Sequence, residues 1–205
     1  MALVPGDYYD QSIRENVFQR YWHSRRFSEV GRFLKRLKAK KILDVGCHGG
    51  RFTYEISRKF PAASLFGIDI SPIAVKYAIK KYPHFHFQVA RAEKLPFKDN
   101  FFDLVTCLEV LEHVHHPQQV LKEIKRVLKK RGIFIILVPS ENFLFRVGWF
   151  FWVRFGPGHV WQDAHLQKFK SNTLDSLLKN SDFKILRRKQ FLLGMLLLIK
   201  TMKKD

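Results

Sequence analysis

Cysteine is nearly absent from this chain. Cys47 and Cys107 are its two thiols. They exclude a disulfide-stapled fold and lack the Cys/His spacing of a zinc site, so a reducing, cytoplasmic setting is the expectation. Acidic residues are scarce as well. The 18 Asp and Glu stand against 37 Lys and Arg, for a formal charge of +19. Such a surplus suits an anionic partner, either nucleic acid, an acidic membrane surface or an acidic substrate. It equally suits the charge-rich surface of a heat-loving protein. No stretch approaches the roughly 18 continuous apolar residues of a spanning helix. The opening Met1 to Asp7 lacks the basic-then-apolar order of a signal peptide. Repeats and low-complexity tracts are missing too.

What is present is apolar bulk. Hydrophobic residues make up 46% of the 205, with 20 Phe among them, enough for one domain with a sizeable core. Four stretches are expected within that single domain: N-terminal helices over 8–38, an alternating core over 40–138, a lid or insertion over 139–170, and a helix with a β-hairpin over 171–205. Apolar residues at spacings of three and four, from Tyr9 to Leu37, predict the N-terminal helices. Strands are predicted at Ile42 to Val45, Ser64 to Ile68, Phe85 to Val89, Phe102 to Leu108 and Ile133 to Val138. Helices are predicted between them: Phe52 to Phe60, one from Ser71-Pro72 to about Tyr82, and one carrying Val120, Leu121, Ile124, Val127 and Leu128. Gly132 is expected to close the last of these. Alternation of this kind predicts a parallel sheet with helices on both faces, and a ligand beyond the carboxyl ends of the strands. Phe183 to Lys189 and Met195 to Thr201 flank Gly194 too closely for anything but an antiparallel return.

The most informative stretch is Asp44-Val45-Gly46-Cys47-His48-Gly49-Gly50. It joins a strand tip to a helix through a glycine-rich turn, where backbone N–H groups approach a ligand closely. It is not the G-x-G-x-x-G of a dinucleotide site. Its acid precedes the glycines, where it would repel a pyrophosphate and suit an ammonium group. Asp69 ends the next strand, where one carboxylate accepts from both hydroxyls of a ribose. Ala92-Glu93 follows the third strand, a place for adenine, and Glu109-Val110-Leu111-Glu112-His113 follows the fourth.

These four segments closely resemble the class I S-adenosylmethionine-dependent methyltransferases, over about 40–190. The first matches their D-x-G-x-G-x-G motif. Gly67-Ile68-Asp69-Ile70-Ser71 matches their second motif, and Ala92-Glu93-Lys94-Leu95-Pro96-Phe97 their A-E-x-L-P-F segment. The Glu109 to Val114 segment is most similar to the small-molecule branch that includes the quinone O-methyltransferases. The resemblance implies an α/β, Rossmann-like three-layer sandwich with a seven-stranded, mostly parallel sheet and an antiparallel last strand. It implies S-adenosylmethionine as cofactor. Gly46, His48 and Gly50 would approach its methionine part, with Asp44 near the amine. Asp69 would take the ribose hydroxyls, Ile70 would flank the adenine, Ala92 and Glu93 would lie at the adenine edge, and Leu108 would lie under the cofactor by its backbone. An arginine about 20 residues before the first glycine binds the methionine carboxylate in the quinone branch. Arg26 has that spacing, unless it is simply a solvated helix charge. One departure stands out: His48 replaces the middle glycine of the first motif. Histidine enters the left-handed region more readily than most side chains, so binding is expected to survive, with an imidazole brought near the methionine tail.

Methyl transfer is an in-line displacement that needs alignment and a dry site. A base is needed only for a protonated oxygen or nitrogen acceptor. His113 is the candidate base; a capping role is its alternative. His115 and His116 lack the further ligand a metal needs, and no metal is expected. His159, Asp163 and His165 form a second polar group, facing the acceptor or satisfying a buried loop. Phe143 to Phe155 interleaves aromatics with Arg146 and Arg154. This segment suits a lid, a dimer face or peripheral membrane contact. The partners expected are a small, lipid-like or aromatic acceptor and, less favoured, tRNA or rRNA. A non-catalytic scaffold is the third alternative. The oligomeric state is left open.

Overall fold

The computed structural model describes residues 4–140, 147, 148, 150, 154, 166, 167, 169 and 171–204. Most of the 143–155 segment, with His159, Asp163 and His165, lies outside the described residues.

Two helices open the chain, α1 (Tyr8–Glu15) and α2 (Val17–Leu34). Sequence periodicity runs straight through both, but Asn16 divides them. Its backbone is extended and its side chain accepts from the Gln19 N–H at 3.0 Å, the geometry of an N-cap. Then follow β1 (Lys41–Val45), α3 (Arg51–Ser57), β2 (Ser64–Asp69), α4 (Pro72–Lys81), β3 (His86–Val89) and β4 (Phe102–Leu108). A short 3₁₀ turn, Leu111–His113, precedes α5 (Pro117–Val127) and β5 (Leu128–Pro139). The chain ends in α6 (Ser171–Asn180), β6 (Phe183–Phe191) and β7 (Leu196–Lys203).

The seven strands form one sheet in the order β3-β2-β1-β4-β5-β7-β6. The first five are parallel, and β7 runs antiparallel to both β5 and β6. The seven-stranded, mostly parallel arrangement with a reversed last strand is the one expected. Gly132 behaves differently from its expectation. The helix ends at Val127, and Gly132 lies inside β5. The strand starts early because Leu128 already pairs with Phe102, and an irregularity follows before Leu104 meets Ile133. Arg131, at φ 58°, takes the left-handed turn within that irregularity.

Strands buried on both faces need two cores. On one side Leu43, Val45, Phe134, Ile136 and Val138 pack with Val120, Leu121 and Ile124 of α5 and Leu174 and Leu178 of α6. On the other, Ile42, Leu104, Ile135 and Leu137 pack with Val30, Phe33 and Leu34 of α2 and Ile56 of α3. Consecutive residues of β1 and β5 thus serve opposite faces. Asp44 lies on the face of Ile42, toward α2 and α3.

A buried carboxylate fastens α2 to the far sheet edge. Glu29 is fully buried and meets Lys189 of β6 at 2.8 Å, Arg32 at 2.7 Å and Arg25 at 3.4 Å. The segment ahead of α2 folds over the carboxyl end of the sheet. Asp10 pairs with Arg51 at 3.3 Å, accepts from the Tyr77 hydroxyl at 3.1 Å and meets Lys81. Gly6 lies so close to Gly49 that a side chain on Gly49 would strike the Gly6 carbonyl.

Truncating the core tests this two-sided packing. Ile136→Ala is expected to cost about 2–5 kcal/mol, read as a lower denaturant midpoint at unchanged slope.

Candidate active site

The parallel order puts the tips of β1, β2 and β4 side by side, and the polar residues collect there. Asp44 is 2% exposed. One of its oxygens accepts from Thr53 of α3 at 2.7 Å and the other from Thr106 of β4 at 2.8 Å. Burial pushes its carboxyl up to about 6; the two hydroxyl bonds pull it down and the charge of Asp69 pushes it further up. A carboxylate so placed is a strong attractor for an ammonium group.

The glycine turn is hooked onto the neighbouring strand. The N–H groups of Gly46 and Cys47 both donate to the Ile68 carbonyl, at 2.8 and 2.9 Å. Gly46 (φ 75°) and Gly50 (φ 79°) take left-handed backbone, and a side chain on Gly46 would collide with Val110. His48 follows at φ 46°. Its N–H donates to one oxygen of Asp69 at 2.9 Å, and the Ser71 N–H donates to the other at 2.9 Å. Each Asp69 oxygen keeps a lone pair, as a ribose diol requires.

The ring of His48 is edge-on to Tyr9, centroids 5.1 Å apart, and neither ring nitrogen has a hydrogen-bond partner. Burial lowers its pKa, with Asp69 opposing. The imidazole is therefore a neutral group with its donor and acceptor both unspent. Cys47 is buried and its thiol is pushed well up, first by burial and then by Asp44, so it is no nucleophile.

Arg26 is not a solvated helix charge. It is 2% exposed, pairs with Glu109 at 2.5 Å, bonds His23 Nδ1 at 2.9 Å and lies over the Phe52 ring at 5.0 Å. Its Nε has no partner. Burial, then the neighbouring Arg26 charge, drives the His23 pKa down to about 2. The ring is neutral and its Nδ1 accepts, which places the proton on Nε2. Glu109 holds a left-handed backbone (φ 57°) and donates its N–H to the Leu137 carbonyl at 2.7 Å. Tyr9 packs edge-on against both His23 and His48, and burial raises its phenol pKa.

Tyr9, Arg26, Asp44, Gly46, Cys47, His48, Arg51, Phe52 and Leu108 thus line one cleft. With Tyr9 in it, only about 20 Å³ remains, room for about one water. A nucleoside needs far more, and Tyr9 of α1 is among the side chains that fill the cleft. A roomier cavity of about 260 Å³ lies between α2 and α3, at Phe27, Leu34, Ile56 and Lys59, and holds none of the predicted residues. The chemistry is in the tighter one. Ile70, beside Asp69, is 55% exposed, an uncovered apolar face of the kind a flat base covers. Ala92 is half-buried. Glu93 pairs with Arg91 at 3.6 Å, and the Ala90 N–H ties this loop to the Asp69 carbonyl at 3.0 Å. His113 ends the 3₁₀ turn after β4 and its N–H donates to the Val110 carbonyl at 2.9 Å. Among the described residues, no group of three or more His, Cys, Asp or Glu is placed to hold a metal ion.

Tyr9, His23 and Glu109 were not singled out as site residues in the sequence. A signal existed for His23: it precedes Arg26 by three positions and so shares its helix face. None existed for Tyr9, which arrives by a tertiary fold-back. The unspent lone pairs of Asp69, the bare imidazole of His48, the side-chain-free approach at Gly46 and the buried Asp44 together fit an amino-acid-bearing nucleoside.

Asp44 links cofactor and stability. Above about pH 6 the free folded protein holds it ionised at a burial cost; below its unfolded value of 3.8 it is protonated in both states. Its contribution to stability therefore declines as pH rises from 4 to 6. Asp44→Asn is expected to raise the stability of the ligand-free protein at pH 7.5 by about 1–3 kcal/mol. The same change should weaken S-adenosylmethionine binding by at least about tenfold, measured by denaturation and calorimetry.

Residues 43–136 match the model of a methyltransferase domain. An uncharacterised protein of Methanocaldococcus jannaschii is 38% identical over 124 residues, 58% of this chain and 51% of that one. The mitochondrial ubiquinone biosynthesis O-methyltransferase of Schizosaccharomyces pombe is 33% identical over 130 residues, 58% of this chain and 45% of that one. The chain spans about half the length of these curated relatives. Among solved structures, PH0226 protein from Pyrococcus horikoshii superposes with a TM-score of 0.74 at 20% identity, covering 97% of this chain and 99% of that one; at that identity it speaks for the fold alone. The matched core, 43–136, thus resembles a class I S-adenosylmethionine-dependent methyltransferase domain, and the fold around it is one that solved structures share.

Proposed function

We propose that the protein transfers the methyl group of S-adenosylmethionine to a small, lipophilic aromatic acceptor. The observation that carries this reading is the meeting of Asp44, His48 and Arg26 in one cleft, with Asp69 accepting from the His48 N–H. When bound, the cofactor supplies a methyl group on a positively charged sulfur, open to in-line attack. The chain's own residues do the rest. Asp44 holds the amine, and Arg26 turns from Glu109 to the carboxylate. Asp69 accepts from the ribose hydroxyls while Ile70 covers the base. The α1 segment covers the cleft and excludes water.

The acceptor is read from less. The name of the yeast relative, a ubiquinone biosynthesis O-methyltransferase, supports an aromatic hydroxyl, whose proton needs a base. His113, half-buried at the turn after β4, takes that role in this reading. The charge of +19 favours RNA as the second reading.

A panel of acceptors offered with methyl-labelled cofactor decides between them. Prenylated and plain catechols are expected to take label, and total RNA is not. Label in RNA alone would replace the first reading with the second; no label anywhere and no saturable cofactor binding would remove both. His113→Gln is expected to lower kcat on the accepted catechol by about 10²-fold or more, with cofactor affinity unchanged by calorimetry. Arg26→Ala is expected to do the reverse, weakening the cofactor by at least about tenfold and leaving Glu109 without its partner.

A further inference from the structure

Three of the most exposed apolar side chains stand together at the start of α2. Val17, Phe18 and Tyr21 are 70%, 82% and 60% exposed. They occupy positions i, i+1 and i+4, within about 100° of one another around the helix. α2 descends beside the sheet to reach the amino end of β1. Its 18 residues span about 27 Å, whereas the five of β1 span about 17 Å. The first turns of α2 therefore project past the carboxyl edge, where Asp44 and Asp69 lie. Leu193, 78% exposed, stands at the same end, since the β6–β7 hairpin pairs Phe191 with Leu196 and Leu196 with Pro139 at the carboxyl end of β5. Arg14 and Arg20 are exposed beside these side chains, with Arg14 paired to the neighbouring Glu15 at 2.9 Å. Arg20 donates to the carbonyls of Ile13 and Arg14, at 3.1 and 3.0 Å, which holds its guanidinium across the α1–α2 corner.

We propose that this corner docks on an anionic lipid bilayer, with Val17, Phe18 and Tyr21 entering the headgroup region and Arg14 and Arg20 meeting lipid phosphates. Charge selects the bilayer over a second copy of the chain. Two molecules at +19 each repel, whereas an anionic surface complements them. Scale agrees as well. An interfacial helix enters about 5–10 Å, the depth of one to two helical turns, and the apolar cluster is that long. Tyrosine and phenylalanine at such a boundary present apolar rings to the acyl region. The docked protein holds the mouth of its cleft against the lipid, so an acceptor dissolved there reaches the site without crossing water. That purpose rests on the lipophilic acceptor proposed above; the docking itself is read from other residues.

The test is sedimentation of the full chain with vesicles of phosphatidylcholine alone or with about a third phosphatidylglycerol. The wild type is expected to sediment with the anionic vesicles. The triple variant Val17→Ser, Phe18→Ser, Tyr21→Ser is expected to bind them at least about tenfold more weakly. Its S-adenosylmethionine affinity should be unchanged, because none of the three lines the cleft. Equal vesicle binding by both proteins would overturn the proposal, since charge alone would then account for it. A wild-type dimer in light scattering that the triple variant breaks would overturn it in favour of a second copy. RNA binding that the triple variant loses, with vesicle binding kept, would overturn it in favour of nucleic acid. Absent vesicle binding together with labelled catechol removes the docking alone; vesicle binding with no labelled acceptor removes the acceptor reading alone.

Discussion

A buried negative charge at the tip of β1 organises the rest of the cleft. Asp44 has no solvent to stabilise it, so two hydroxyls from different elements do so, Thr53 from α3 and Thr106 from β4. Those bonds fix how α3 sits on the sheet and therefore where the glycine turn before it must run. The turn in turn sets the His48 N–H against Asp69. One carboxylate thus positions the next, and each is left with acceptor capacity. A site of this type is costly to the empty protein, because an ionised group is held out of water without a counter-charge. A ligand carrying an ammonium group removes that cost on arrival, which converts strain in the free protein into affinity.

The second charge system in the cleft works by exchange. Arg26 and Glu109 are paired across the space between α2 and the tip of β4, with neutral His23 behind the arginine. In the function proposed above, a ligand carboxylate would compete with Glu109 for the guanidinium. Because Glu109 sits on a left-handed backbone pinned to Leu137, it is the arginine that has freedom to turn. The aromatic floor of Phe52 under Arg26 keeps the planar group oriented as it does so.

The sheet was legible because its signals are local: apolar runs of strand length, separated by helical periodicity, with acids at the strand ends. Asp44 and Asp69 could be named for the same reason. Gly132 misled because a glycine after an apolar helix stripe has two meanings, a helix stop or an irregular strand, and only pairing with Phe102 decides. Asn16 was hidden in the opposite way, as a polar residue inside an uninterrupted apolar rhythm. Tyr9 and Glu109 meet His23 and Arg26 only because α1 and α2 fold back over the strand tips, a long-range fact that no spacing encodes. Arg26 was singled out by its distance from the first glycine, a family regularity, and its burial removes the alternative of a solvated helix charge.

Glu29 gathers Lys189, Arg25 and Arg32 beneath α2 and so couples that helix to β6, the outermost strand on its side of the sheet. Glu29 lies less than one turn past Arg26 on the same helix. A rotation of α2 about its axis that relieved or tightened the grip at Lys189 would swing the guanidinium across the cleft. The strand most remote from the glycine turn is thereby tied to the helix that carries Arg26.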